Sequence, residues 1–139
     1  PSARLIAVFG ATGGGRDHSK RPIMGKLAGH YCDAIVICDD DPYDEDPQAI
    51  MRAIEAGVIE KGWHVKGATY WMIEDRREAI GKALSIACPG DIIALTGKGA
   101  EDCIVLADGK HPWSDKRIVE ELLSASYCGL VDKSLDVLF

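Results

Sequence analysis

Three short apolar runs constrain this chain more than any other feature, because each ends abruptly in an unusual loop. Residues 4–9 (R-L-I-A-V-F) stop at a glycine, residues 34–38 (A-I-V-I-C) stop at three aspartates, and residues 91–96 (D-I-I-A-L-T) stop at G-K-G. Runs this short, apolar on both faces, suit strands buried in a parallel sheet. Amphipathic segments separate them. A helix capped by Asp17 or Ser19 is expected to run to His30, with Met24, Leu27, Ala28 and Tyr31 inward. A second is expected from Pro47 to Ala56, with Ile50, Ala53 and Ile54 inward and Gly57 as its end signal. A third, over 76–87, turns Ala79, Ile80, Ala83, Leu84 and Ala87 inward, and a last one runs from a Ser114-Asp115 cap to Leu123. A strand over 69–73 and a short edge strand over 103–107, turned at Asp108-Gly109, complete the pattern. The order implies an α/β, Rossmann-like, mostly parallel sheet with helices on both faces and one antiparallel edge strand. Right-handed crossovers then bring every loop that follows a strand to one edge, where open α/β sheets bind ligands.

Composition narrows the class without naming an activity. The 139 residues fit one domain, and 16 Lys+Arg against 22 Asp+Glu give a net charge of −6. That balance argues against a nucleic-acid partner. No apolar run reaches the roughly 18 residues that span a bilayer, so no membrane insertion is expected, and the localisation expected is cytoplasmic. The cysteines Cys32, Cys38, Cys88, Cys103 and Cys128 are odd in number and lack a C-x-x-C, which reads as reduced thiols. His18, His30, His64 and His111 show no metal-ligand spacing, so no metal site is expected.

The loops carry the candidate chemistry. The first, G-A-T-G-G-G-R-D-H-S-K-R-P, holds four glycines in residues 10–15 and then Arg16, Lys20 and Arg21. Glycines let backbone N–H groups approach an anion, and a helix N-terminus favours negative charge. The loop departs from the Walker pattern, since Arg16-Asp17 follows Gly15, and it lacks G-x-G-x-x-G spacing. It reads equally as a turn with solvated charges. The second loop packs six carboxylates into residues 39–46. Such crowding asks for a cation. An EF-hand needs glycine where Asp44 stands, so an ammonium-bearing small molecule fits better. Asp44, Glu45 and Asp46 suit capping of the next helix, leaving Asp40 and Asp41 as ligand candidates. The third loop, T-G-K-G-A-E-D, places Lys98 and Glu101 around Gly99, and reads either as a carboxylate-and-amine contact or as a plain turn.

Together these stretches resemble the Mur ligase family at its C-terminal domain, closest to its UDP-N-acetylmuramoyl-tripeptide synthetase branch. V-F-G-A-T-G-G-G-R-D-H-S-K-R-P-I-M-G is similar to the family's G-G-x-R-D-x-x-K-R-P-x-M-G, and D-D-P-Y-D-E-D-P-Q-A-I to D-N-P-R-x-E-D-P-x-x-I. I-E-D-R-R-E-A-I is similar to D-R-x-x-A-I, and P-G-D-I-I-A-L-T-G-K-G-A-E-D, with W-S-D-K after it, to P-G-D-x-x-x-x-x-G-K-G-H-E-D and F-S-D-R. The resemblance implies an ATP-dependent ligase of peptidoglycan synthesis. In that family ATP phosphorylates the D-glutamate carboxylate of UDP-MurNAc-L-Ala-D-Glu, and the amine of the incoming amino acid, here expected to be a diamino acid, attacks the acyl phosphate. By motif position Arg16 would meet the α-carboxylate of the amino acid, and Asp40, Asp41 and Tyr43 would surround its side chain. Gly97 and Glu101 would touch its distal end, with Lys20, Arg21 and Lys98 in support. ATP and Mg would be held mainly by a central domain, so no catalytic residue is expected within these residues.

Three departures bear on selectivity. Tyr43 stands where enzymes selecting meso-diaminopimelate have Arg, Asp41 where the motif has Asn, and Ala100 where it has His. Losing an anion receptor and adding an anion favours lysine or ornithine over meso-diaminopimelate. The sequence also lacks the D-Y-A-H-T-P strand–helix unit with which the family's C-terminal domains begin, the P-loop domain and the UDP-binding domain. Residues 1–139 are therefore expected to be a C-terminal amino-acid-binding domain, inactive in ligation alone. The rival readings are an independent Rossmann-like nucleotide-binding protein and a non-catalytic binding or assembly module.

Overall fold

In the computed structural model, which describes residues 2–126 and 135–139, the apolar runs become the centre of a five-stranded parallel sheet. Its strands are β1 (Leu5–Phe9), β2 (Ala34–Ile37), β3 (Tyr70–Met72), β4 (Ile92–Leu95) and, at the edge, β7 (Asp136–Leu138), in the order β3-β2-β1-β4-β7. Val8 sits opposite Val36 on one side and Leu95 on the other. Four helices cover the sheet: α1 (Lys20–Tyr31), α2 (Pro47–Val58), α3 (Arg76–Ile86) and α4 (Asp115–Ser126).

Alternation along each strand divides the core into two layers. Ile6, Val8, Ala34, Val36, Ile93 and Leu95 face α3 and α4, against Ala79, Ile80, Ala83 and Val119. Ala7, Phe9, Ile35 and Ile37 face α1 and α2, against Ala28, Ile50, Met51, Ile54 and Val58. Two helices lie on one face and two on the other because the winding reverses between β1 and β4. That reversal opens a crevice at the carboxyl ends of those two strands, the topological switch point of the sheet.

The structure corrects four expectations. Leu27 and Tyr31 of α1 are exposed, and the buried positions are Arg21, Gly25, Ala28 and Gly29. The cause is close helix contact: a Cβ on Gly25 would overlap the Ile54 carbonyl oxygen, and one on Gly57 the Pro22 carbonyl oxygen. Small residues, not large ones, form that seam. Gly57 consequently lies inside α2, and the chain turns only after a 3-10 segment, Ile59–Lys61, at Gly62 with φ 79°. Ser19 precedes α1 without capping it; Asp17 instead accepts from the Ser19 backbone N–H and hydroxyl. Lastly, no antiparallel strand joins the main sheet among the described residues. β5 (Cys103–Leu106) and β6 (Gly109–Pro112) form a hairpin of their own, and β7 occupies the edge in parallel.

Side-chain caps precede three of the helices. Asp46 accepts from the Gln48 N–H before α2, Asp75 from the Glu78 N–H before α3, and Ser114 from the Arg117 N–H before α4. Cys32, Cys38, Cys88 and Cys103 are free thiols; Cys128 lies outside the described residues. Among the described residues no helix is long and apolar enough to cross a membrane.

Candidate functional site

The crevice at the switch point is a cleft of ≈ 350 Å³, lined by the glycine loop and α1 on one side and by Asp40, Thr96 and Gly97 on the other. Arg16, Lys20, Arg21 and Asp40 share it, which places the basic loop and the first carboxylate of the acidic loop around one volume. Arg16 and Lys20 are solvent-exposed.

Arg21 is different, because it is buried and already engaged. Its Nη2 donates to the Thr12 carbonyl at 3.2 Å and to Glu45 Oε2 at 2.8 Å. Glu45 also accepts from the Gly15 N–H and faces His18 Nε2 at 3.3 Å, so it ties the acidic loop to the glycine loop. These bonds hold its carboxyl below the usual range, the Arg21 contact most. The expectation that Glu45 caps α2 is therefore corrected; that task falls to Asp46 alone. The two loops also meet where the Gly13 N–H donates to the Asp41 carbonyl at 2.7 Å.

Lys98 organises the acidic end from inside. Its ammonium is buried, lies 3.2 Å from Asp40 Oδ1 and 3.3 Å from Glu101 Oε2, and hydrogen-bonds Asp41 Oδ1. Burial alone would lower its pKa; the bond to Asp41 and the neighbouring charges more than offset this, and the pKa is raised. Asp40, only 7 % exposed, is shifted upward by burial, with Lys98 opposing. Gly97 leaves room for this arrangement. A Cβ there would stand 2.8 Å from Asp40 Oδ2, and its φ of +107° disfavours side chains.

The predicted residues thus separate. Arg16, Asp40 and Gly97 line the cleft with Lys20 and Arg21. Asp41 does not: its carboxylate accepts from Lys98 and from the Val105 N–H, anchoring the β5–β6 hairpin. Tyr43, at φ 54°, lies beside Gly14 and lines a neighbouring groove with Asp39, Glu45, Glu74, Asp75, Glu78 and Asp108. Glu101 borders another hollow with Gly99, Ala100, Ser114 and Lys116. Lys98 is a buried counter-ion, not an open cation. In the acidic groove burial pushes Asp39 up to about 7, helped by Glu74 and Asp75.

Sequence reasoning passed over Arg76 and Asp115. Arg76 Nε and Nη2 form a fork on the Asp115 carboxylate at 2.9 and 2.7 Å, with both side chains 0 % exposed. The signal present in sequence was a charge inside two motif stretches, I-E-D-R-R-E and W-S-D-K.

With this geometry in view, the comparisons with known proteins define the class. Residues 1–99 match the description "Mur ligase, glutamate ligase domain", and the chain belongs to that family. It is 44% identical over 125 residues to the UDP-N-acetylmuramoyl-L-alanyl-D-glutamate--2,6-diaminopimelate ligase of Aquifex aeolicus (strain VF5), covering 90% of this chain and 24% of that protein. It is 43% identical over 112 residues to the UDP-N-acetylmuramyl-tripeptide synthetase of Roseiflexus sp. (strain RS-1), covering 81% and 22%. A solved UDP-N-acetylmuramoyl-L-alanyl-D-glutamate--2,6-diaminopimelate ligase superposes with a TM-score of 0.82 at 33% identity, over 92% of this chain and 25% of that one. The chain spans about a quarter of the length of the curated relatives it matches.

Proposed function

We propose that this chain is the amino-acid-receiving domain of an ATP-dependent ligase of peptidoglycan precursor synthesis, which adds a diamino acid to UDP-MurNAc-L-Ala-D-Glu. The observation that carries the reading is the polarity of the cleft, with Arg16 and Lys20 on one wall and Asp40 beside Gly97 on the other. That arrangement matches a zwitterion with a carboxylate at one end and an ammonium at the other. Arg16 takes the α-carboxylate in a charge-assisted pair, while Asp40 accepts from the distal ammonium. Attack on the acyl phosphate is not performed by these residues; their part is to bind and orient the amine.

Mg and ATP do not fit the donors present. Among the described residues no group of three or more His, Cys, Asp or Glu side chains is arranged to hold a metal ion, and the sequence holds no G-x-x-x-x-G-K-[ST] loop.

A lysine-like substrate is favoured over meso-diaminopimelate. Tyr43 offers one neutral hydroxyl, and the buried cations are already held, Lys98 by Asp40, Asp41 and Glu101, Arg21 by Glu45, and Arg76 by Asp115. A second carboxylate at the side-chain end would meet Asp40 without a partner. An unpaired, partly desolvated carboxylate costs several kcal/mol, so discrimination on the order of a hundredfold is expected. The names of the Aquifex aeolicus relative and of the solved ligase, which specify 2,6-diaminopimelate, support the opposite preference, and Lys20, exposed in the cleft alongside Arg16, is the cation that would serve it. Steady-state ligation by the full-length ligase decides between them. A higher kcat/KM for lysine or ornithine is the expected result, and a higher one for meso-diaminopimelate would refute the Tyr43 argument.

A further inference from the structure

We propose that Arg76 is a positioning residue that sets where Asp40 stands in the wall of the substrate cleft by gripping, from behind, the two backbone segments that carry Asp40 and Gly97. This rests on the reading of the cleft as an amino-acid site. Arg76 is the first residue of α3 and lies wholly inside the protein, beneath the carboxyl ends of β2 and β4. Its Nη1 donates to the Asp39 carbonyl at 3.1 Å and contacts Cys38 Sγ at 3.7 Å; its Nη2 donates to the Thr96 carbonyl at 3.1 Å. Those two carbonyls immediately precede Asp40 and Gly97, which lie against each other in one wall of the cleft.

The grip is fixed in turn by α4. Nε and Nη2 bond the two oxygens of Asp115, and Asp115 Oδ1 also accepts from Trp113 Nε1 at 2.8 Å. Burial works to lower the Arg76 pKa, and the Asp115 bonds with nearby negative charge more than offset it, so the guanidinium stays charged. Five donors in one rigid plane therefore bind one carboxylate, two strand-end carbonyls and a thiol. Lysine has three donors on a single nitrogen and cannot span both carbonyls while keeping the two-pronged contact with Asp115. Hydrophobic packing would hold α3 against the sheet without fixing the gap between two loops. A planar fork fixes that gap, and the gap decides whether Asp40 stands where an ammonium can reach it.

The test uses the ¹⁵N-labelled 139-residue chain, titrated separately with L-lysine and with meso-diaminopimelate while amide signals are followed. Arg76→Lys is compared with Ile80→Val, a substitution in the same helix that lies in the core and touches no loop of the cleft. Arg76→Lys is expected to weaken binding of the preferred amino acid at least tenfold, with Ile80→Val within twofold of the parent. Equal affinity in Arg76→Lys and the parent would overturn the proposal. If the parent binds neither amino acid, the substrate reading itself fails, and hydrogen exchange judges the role of Arg76. Exchange of the Asp39 and Thr96 amides, which are hydrogen-bonded to Glu74 and Val8, should then accelerate at least tenfold relative to amides in α2. Uniform acceleration through the chain would mean that Arg76 supplies stability alone. Should Arg76→Lys not fold, Asp115→Glu carries the same comparisons, because it keeps both charges and displaces the guanidinium.

Discussion

At the scale of single residues, Lys98 shows how charge is arranged here. Three carboxylates converge on one buried ammonium, and a site built to attract a cation already contains one. Removing that cation leaves Asp40 and Asp41 facing each other with their charges unrelieved. Lys98→Met is therefore expected to destabilise the fold by about 3 kcal/mol, the typical cost of stranding a buried charge, read from urea unfolding at pH 7. A loss below about 1 kcal/mol would mean that water reaches these carboxylates freely. The sequence could not reveal this. Glu101 is three residues from Lys98 and legible as its neighbour, but Asp40 and Asp41 come from the far side of a crossover. Only the meeting of β1, β2 and β4 brings them together. Arg16, Asp40 and Gly97 are legible as neighbours for the opposite reason, since each sits in the loop after a strand that its own apolar run announces. Arg21 shows the limit of charge counting. Written beside Lys20 it looks like a second free cation, yet the helix start turns Lys20 outward and buries Arg21 against Glu45.

At the scale of elements, the acidic loop between β2 and α2 does three separate tasks, and its residues divide among them by position. Asp39 and Asp40 lie at the strand end, Asp41 and the Tyr43 N–H pair with Val105 to hold the hairpin, and Asp46 caps α2. From sequence the hairpin reads as an edge strand, because its partner is that irregular loop, which carries no period to recognise. β7 lies beyond the family match, and its three residues are too few to announce a strand. In α1 the apolar pattern rests on Leu27 and Tyr31, yet glycines set its contact with α2, and a missing side chain leaves no apolar signal in a helical pattern. Asp39 gives this loop a pH dependence of definite sign. Burial, then Glu74 and Asp75, raise its folded-state pKa from 3.8 to about 7. The folded state therefore holds that proton more tightly than the unfolded chain does. The associated stability is complete below about pH 4 and is lost as pH rises through 7. Asp39→Asn has no proton to lose, so its stability relative to the parent should climb between pH 4 and pH 7.5 and then level. Urea midpoints at pH 5 and pH 8 check this; a constant difference would show that Asp39 ionises normally. Asp91 runs the other way. Hydrogen bonds from Arg4 and the Cys88 N–H lower it to about 2, so its contribution holds above pH 4 and fades only as pH falls toward 2.

At the scale of the whole molecule, the question is what these 139 residues can accomplish unaided. Phosphoryl transfer needs a cradle of backbone N–H groups with a lysine, and a metal that bridges the phosphates. The glycine loop supplies the flexible backbone but follows it with Arg16-Asp17, and its buried cation, Arg21, already serves Glu45. Net charge opposes the approach of a polyanion as well, at −6 for the chain, with six carboxylates lining the groove beside Tyr43. The two walls of the cleft together suit a small diamino acid, which brings a carboxylate for one and an ammonium for the other, and no phosphate. The chain alone is thus expected to bind a diamino acid and to show neither ATP hydrolysis nor amide-bond formation. Phosphate release and tripeptide formation, measured with MgATP, lysine and UDP-MurNAc-L-Ala-D-Glu, should remain at the level of a reaction without protein. Turnover above that level, abolished by Arg16→Ala, would place phosphate chemistry in the glycine loop and overturn this division of labour. The same assay with Lys20→Ala separates contamination from a real site, because a contaminating ATPase is indifferent to both substitutions. A genuine phosphate cradle at the start of α1 would respond to each of them.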